Sequence, residues 1–409
     1  MPLSTRRLFV TLALVAASAL VVSGLAAGWV AARNANTIAD AREQGLDLAT
    51  AVTDFRTRLA EADAGAAATL ISGGLEDTDS RAAYDEDLLE ASRALTDAGL
   101  VATDADHADI SDMGDGLLAY AGLVETSRAN SRQGFPVGAA YLDQARATAN
   151  DTLVPLAEHR RRVGEQRIAR AANSVGGPVS ALAIVVLVAG LVVLVGCAVL
   201  VAGRTRRIAH PALLAATVVV IGALVVVTGG ITAQSRELRE AATGDIDAYV
   251  AANEASSALS DLRVTEISAV AARGSGAALY EQFGADADAL ATLLGDAPGD
   301  PAGLGELRDA VAQYRAGVDE VAAADARGDN RGAADLAQSI SSDGPGSADA
   351  FVAATEVAAA NVDSAAGDLR ERFDAAADAD VMPLVPVVLG LAAAALAAAG
   401  TLARGRRYR

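Results

Sequence analysis

The stretch VSALAIVVLVAGLVVLVGCAVLVAGRTRRIAHPALLAATVVVIGALVVVTGGIT, residues 179–232, decides the fold. Two apolar runs without Asp, Glu or Arg are joined by a short segment carrying Arg204, Arg206 and Arg207. A helix rises about 1.5 Å per residue, so about 20 apolar residues cross a hydrocarbon core of about 30 Å. The pair therefore reads as two membrane-crossing helices with a tight turn between them.

Outward from this pair, the runs at 8–32 and 383–403 have the same character. The predicted layout is tail 1–7, span 8–32, domain 33–177, span 178–202, hairpin 203–211, span 212–232, domain 233–382, span 383–403 and tail 404–409. The first run follows Arg6 and Arg7, as a signal peptide would. Its apolar core is longer than a signal needs and three further spans follow, so it is expected to stay as an anchor.

All 52 acidic residues lie in the two long domains, which carry net charges of −10 and −18. The tails and hairpin hold arginine and no acid, and the chain contains no lysine. Basic residues beside spans stay in the cytoplasm. The expected location is the cell membrane, multi-pass, with both termini cytoplasmic and both large domains extracytoplasmic. Cys197, the one cysteine, lies in a span, so neither domain has a disulfide and each must be held by packing.

Both domains read as helical. Leu48, Val52, Phe55, Leu59, Ala62, Ala66 and Leu70 recur every three or four residues, which puts them on one helix face. Gly73-Gly74, residues 103–106 and Gly134-Phe135-Pro136 then punctuate helices predicted near 33–72, 80–100, 106–133 and 137–175. The second domain breaks at Gly274–Gly276, Gly295–Gly303, Gly328-Asp329 and Asp343–Ser347. Internal similarity sets Tyr120 against Tyr314 and RLAEADAGAAATLISGG (58–74) against LRVTEISAVAARGSG (262–276). The expected fold is an all-α membrane protein: four transmembrane helices with two extracytoplasmic antiparallel helical bundles, a tandem repeat of span–bundle–span.

Catalytic constellations are not evident. His107, His159 and His210 are scattered, and a chain without lysine cannot form a lysine-bearing phosphate loop. The spans hold no ionisable group of the kind that marks a pump or ion pathway. An enzyme, a cofactor, a metal site and a nucleic-acid partner are all unexpected. Arg327-Gly328-Asp329 reads as turn chemistry, and Asn150-Asp151-Thr152 as a chance glycosylation pattern. Gly24 and Gly28 form a small-xxx-small pair, suited to packing within the four spans or to a homodimer contact.

One polar segment stands out. Glu125, Arg128, Asn130, Arg132 and Gln133 lead into Phe135 at the distal end of the third helix, near Glu61, Asp63, Gly73 and Gly74. This group is the candidate surface for a partner or ligand, with arginine suited to carboxylates. Gly176, Gly177, Pro178, Pro383 and Pro386 mark the two returns into the membrane, either as simple helix starts or as hinges. Arg204, Arg206, Arg207, Arg404, Arg406 and Arg407 fix topology, touch anionic lipid of the bilayer and are the candidate output surface.

RLAEADAGAAATLISGG (58–74), AAYDEDLLEAS (82–92) and YAGLVETSRANSRQGFPVGAAYL (120–142) resemble the actinobacterial GlnX-type membrane proteins. The resemblance implies a non-enzymatic signalling adaptor. Its implied partners are an extracytoplasmic amino-acid-binding lipoprotein of the aspartate/glutamate/glutamine class and the cytosolic Ser/Thr protein kinase G. Two alternatives stay open: a scaffold or accessory subunit tethering the binding protein near its transporter, and a direct chemoreceptor-like amino-acid sensor.

Overall fold

The computed structural model describes residues 2–71, 78–133, 137–205, 211–296, 304–338, 346–379 and 382–406, and every element among them is helical. The first copy contains α1 (Pro2–Ala41), α2 (Leu48–Ile71), α3 (Thr78–Val101), α4 (His107–Arg132), α5 (Val137–Thr148), α6 (Val154–Val175) and α7 (Pro178–Thr205). The second contains α8 (Pro211–Glu240), α9 (Ile246–Ala271), α10 (Ala277–Asp296), α11 (Leu304–Ala326), α12 (Asn330–Gln338), α13 (Ser347–Asp378) and α14 (Leu384–Arg406). Helix ends fall at the glycine and proline punctuation. At Arg327-Gly328-Asp329, Gly328 takes φ +78°. Its N–H bonds Asp325 O, and that of Asp329 bonds Ala324 O, closing α11 in a Schellman cap.

The chain divides into two compact units. The first comprises Met1–Ala41, Ile168–Ala242 and Glu371–Arg409. In it α1 packs on α7 and α14, and α8 packs on the same two, so the four helices close a ring. Phe9, Leu20, Leu194, Leu213, Val220 and Ala397 fill its interior. Leu14, Trp29, Val192 and Val218 are more than 60% exposed on its outside. Among the described residues four helices are long and apolar enough to cross a membrane, and an apolar outer face is what lipid requires.

Close approach within the ring is set by glycine. A Cβ on Gly24 would meet Pro386 O at 2.9 Å and Gly390 Cα at 3.0 Å, and one on Gly28 would meet Pro383 O at 2.7 Å. Gly24 and Gly28 thus seat α14 inside the same chain. Ser23 Oγ adds a bond to Val186 O on α7 at 3.0 Å. At the returns, Pro178 is the first residue of α7, and Pro383 immediately precedes α14 with Pro386 in its first turn. A first-turn proline lacks only an N–H that the helix would not have bonded. Gly176 approaches Ser235 on α8, where an added Cβ would lie 3.0 Å from Ser235 Cβ.

The second unit comprises Arg42–Arg167 and Thr243–Arg370. Each copy keeps a core: Phe55, Leu59, Tyr84, Met113, Tyr120 and Leu142 in one, Leu259, Leu262, Phe283, Leu307, Tyr314 and Val318 in the other. The cores do not stand apart. Helices α2 and α9, equivalent in the two copies, pack on each other, and Ile267 of α9 joins the first core. Small buried residues on α9, among them Ala252, Ala255, Ser256, Ser257 and Ser260, allow this approach. With most of its faces covered, α9 is the central helix of the unit.

Candidate functional site

Three short π-helical segments interrupt the α-helices: Arg42–Asp47, Ala149–Leu153 and Ala241–Asp245. The first and third occupy matching places. Arg42 opens the second unit after α1, and the boundary after α8 falls within Ala241–Asp245. A π turn carries one residue more than an α turn and leaves backbone groups displaced, so these groups need other partners. In the first copy Arg167 Nη1 donates to Gln44 O at 2.8 Å. Gly164 lets α6 approach Gly45, whose carbonyl would lie 2.6 Å from an added Cβ.

Arg167 also reaches Asp106, at 2.8 and 2.9 Å. Asp106 has no exposed surface and accepts in addition from Thr103 N at 2.9 Å, Thr103 Oγ1 at 2.6 Å and Arg160 Nη1 at 2.5 Å. Burial alone would raise its pKa. The Thr103 bonds and Arg167 outweigh that effect and hold the carboxyl below its ordinary value. Asp106 and Arg167 thus tie the start of α4 to the π segment.

A second network joins the two copies. Tyr120 donates to Asp63 Oδ1 at 3.2 Å, Arg146 Nε to Asp63 Oδ2 at 3.2 Å, and Arg146 Nη1 to Ser268 Oγ of α9 at 3.1 Å. Arg146 therefore links the two copies. Burial pushes the Asp63 carboxyl up despite Arg146 and Tyr120. In the second copy Tyr314 donates to Glu266 at 2.6 Å, Arg263 Nη1 to Glu266 at 2.6 Å, and Ser347 Oγ also to Glu266. The matched tyrosines thus serve matched carboxylates, a relation that the sequence alignment had registered only for the tyrosines.

The polar group expected at one distal surface is distributed over several places. Arg128 is buried, with its guanidinium carbon 3.9 Å from the centroid of the Tyr84 ring and Nη1 2.9 Å from Glu125. Its long stem and flat head cover the aromatic face, which is why this arginine stands inside the fold. Glu125 also pairs with Arg81 at 3.1 Å. Asn130 is half-buried, Arg132 and Gln133 are exposed, and Asp63 belongs to the buried network above. Glu61 turns to Arg58 at 2.9 Å, beside Asp87. Burial and Glu61 push the Asp87 carboxyl up to about 7 against the pull of Arg58. Gly73, Gly74, Phe135, Arg206, Arg207 and Arg407 lie outside the described residues. Arg204 falls in the last turn of α7, and Arg404 and Arg406 close α14.

Among the described residues no group of three His, Cys, Asp or Glu side chains is placed to hold a metal ion. The arrangement of buried acid–tyrosine–arginine networks and π turns positions helices. Residues 34–173 match the family model described as actinobacterial sensor domain. No curated protein and no solved structure matches the chain. The family match supports an actinobacterial sensor protein and hence a sensing or signalling role.

Proposed function

We propose that the chain is a non-enzymatic transmembrane adaptor that relays extracellular aspartate, glutamate or glutamine availability. In this reading it takes the signal from an amino-acid-binding lipoprotein and passes it to a cytosolic Ser/Thr protein kinase. Both acidic stretches stand outside the cell and the arginine-only segments inside, in line with the charge bias beside the spans. The sensor-domain match over 34–173 supports the sensing part, and the GlnX-type resemblance supplies the partners.

The observation that carries the relay is the repetition of a π segment where each copy passes from a membrane span to a helix of the acidic unit. A π turn allows a helix to change register locally without unfolding. Helix shifts of about 1–2 Å suffice for switching of this kind. The packing of α2 on α9 makes both copies respond together. The lipoprotein docks at the exposed end of α4, where Glu125, Arg132 and Gln133 lie, and the kinase meets the segments around Arg204 and Arg404.

A photocrosslinker at Arg132 or Gln133 in intact cells tests this reading. Capture of an amino-acid-binding lipoprotein, increased by its amino acid, is the expected result, together with a phosphorylation response in the kinase substrates. Capture without that response would favour the scaffold, which tethers the binding protein and transmits nothing.

A further inference from the structure

Helices α3 and α4 of the first copy carry three leucines that the fold leaves to solvent. Leu89 is 50% exposed, Leu100 79% and Leu118 74%. Two bridges between the helices fix where these side chains stand. Arg81 Nη2 lies 3.1 Å from Glu125, and Arg128 stacks on Tyr84. The helices therefore run antiparallel, with Arg81 level with Glu125. Leu89 lies eight residues after Arg81 and Leu118 seven before Glu125, about 12 Å and about 10 Å along the two axes. The two leucines thus stand at nearly the same height. Seven residues are close to two full turns, so Leu118 shares the side of α4 that Glu125 turns to α3. Leu100 is eleven residues past Leu89, about three turns, and lies on the same face of α3.

The second copy shows that such a bundle does without these leucines. The Tyr120–Tyr314 match sets Ala312 against Leu118, and among the described residues α10 and α11 expose no large apolar side chain. The sensor-domain match covers the first copy, where the leucines lie. Apolar side chains gathered on one exposed face mark a place where something docks. The surrounding charge says what kind of surface fits. Asp85 and Glu86 precede Leu89 by four and three residues, Asp97 precedes Leu100 by three, and Asp115 precedes Leu118 by three. All four acids are exposed, and residues at these spacings are neighbours on a helix surface. Arg81 pairs with Asp85 and Arg93 with Glu90, which leaves Glu86, Asp97 and Asp115 as the surplus. An apolar centre within a polar rim is the anatomy of a protein–protein interface.

We propose that this α3–α4 face is the docking surface for a protein partner whose own contact is an apolar strip edged by lysine or arginine. The basic edge meets Glu86, Asp97 and Asp115 while the strip covers the leucines. A second copy of the chain is disfavoured, because a two-fold contact through this face brings the same acids together. An anionic membrane surface is repelled by those acids in the same way. The face lies along α3 and the middle of α4, apart from the lipoprotein contact at the end of α4. The proposal does not depend on that contact.

Photocrosslinking in intact cells tests the proposal, with benzoylphenylalanine placed in the full chain at position 89, at 118 or, as the control, at 312. The expected result is one and the same protein captured from 89 and 118 and not from 312. Mass spectrometry of the crosslinked peptide should place the contact on an apolar segment flanked by lysine or arginine. Glu86→Gln with Asp115→Asn should lower the yield about threefold or more, as expected for losing two exposed charge pairs. Both replacements are near-isosteric and exposed, and a melting curve of the purified double variant reports its folding. A product with the mass of two copies of this chain, lipid adducts alone or no product would overturn the proposal. So would equal capture from 312, an acidic contact peptide, or an unchanged yield in the folded double variant. Capture of the lipoprotein from Arg132 with nothing from 118 would remove this surface and leave the proposed function standing. Capture of a different protein with the stated contact would support the surface and count against the lipoprotein.

Discussion

Asp63 and Glu266 hold the same position in the two copies, each four residues past a core leucine, Leu59 or Leu262, and each accepting a bond from the matching tyrosine. The surroundings differ. Glu266 is fully buried among Tyr314, Arg263 and Ser347, whereas Asp63 keeps slight exposure and a raised pKa. Tyr314→Phe should cost more than Tyr120→Phe, within the range of about 1.5–3 kcal/mol for a bond to a charged group, because its bond is shorter, 2.6 Å against 3.2 Å, although Arg263 still holds the same Glu266 oxygen. Denaturation followed by circular dichroism in detergent checks the order, since Asp63 can relieve its loss by taking up a proton.

Asp106 gathers Arg160, Arg167 and Thr103 at the start of α4. Its replacement by Ala should destabilise the protein by about 3 kcal/mol, the low end for breaking a buried pair. The loss is limited because Arg160 retains Asp109 at 2.9 Å. Protease resistance of the region around Gln44 should fall as well, because Arg167 loses the carboxylate that orients it.

The acids give stability a two-sided pH dependence. Folding raises Asp54 to about 6 and Asp87 to about 7, so the folded state holds their protons more tightly than the unfolded chain. That contribution is complete below the ordinary Asp value of about 4 and is lost as pH rises through 6 and 7. Asp106 is shifted down, so its contribution is present above the ordinary value and is lost as pH falls towards its lowered folded value. Thermal melts should show falling stability between pH 5 and pH 8, and Asp54→Asn with Asp87→Asn should flatten that slope.

Gly390 faces Gly24 across the α1–α14 contact, and a Cβ placed there would lie 2.9 Å from Gly24 Cα. Gly390→Leu should force these spans apart at a cost of about 1–3 kcal/mol, the usual scale for overpacking. Loss of a disulfide engineered between α1 and α14 would report the separation. An unchanged crosslink would place this contact elsewhere.

Much of the architecture was legible because strong local signals agreed. Uncharged runs mark the spans, and Gly274–Gly276 and Gly328 fall between helices. The heptad-like set from Leu48 to Ala66 faces the first core as its spacing requires. Three things were not legible. Helix α9 is rich in Ala and Ser, residues equally at home on a surface, and only its neighbours show that it is central. The π segment REQGLD has no compositional mark, because its register is set by partners such as Arg167 and Gly164, more than 100 residues away in the chain. Arg128 reads as surface charge until Tyr84 is placed beneath it.

The relay through the π segments is tested most directly by deleting one residue from 42–47, and separately one from 241–245, and measuring kinase-substrate phosphorylation after amino-acid addition to cells. The account predicts that each shortened chain inserts and folds, since a π turn losing one residue becomes an ordinary α turn, yet no longer transmits the response. A response equal to that of the unaltered chain in both deletions would contradict it.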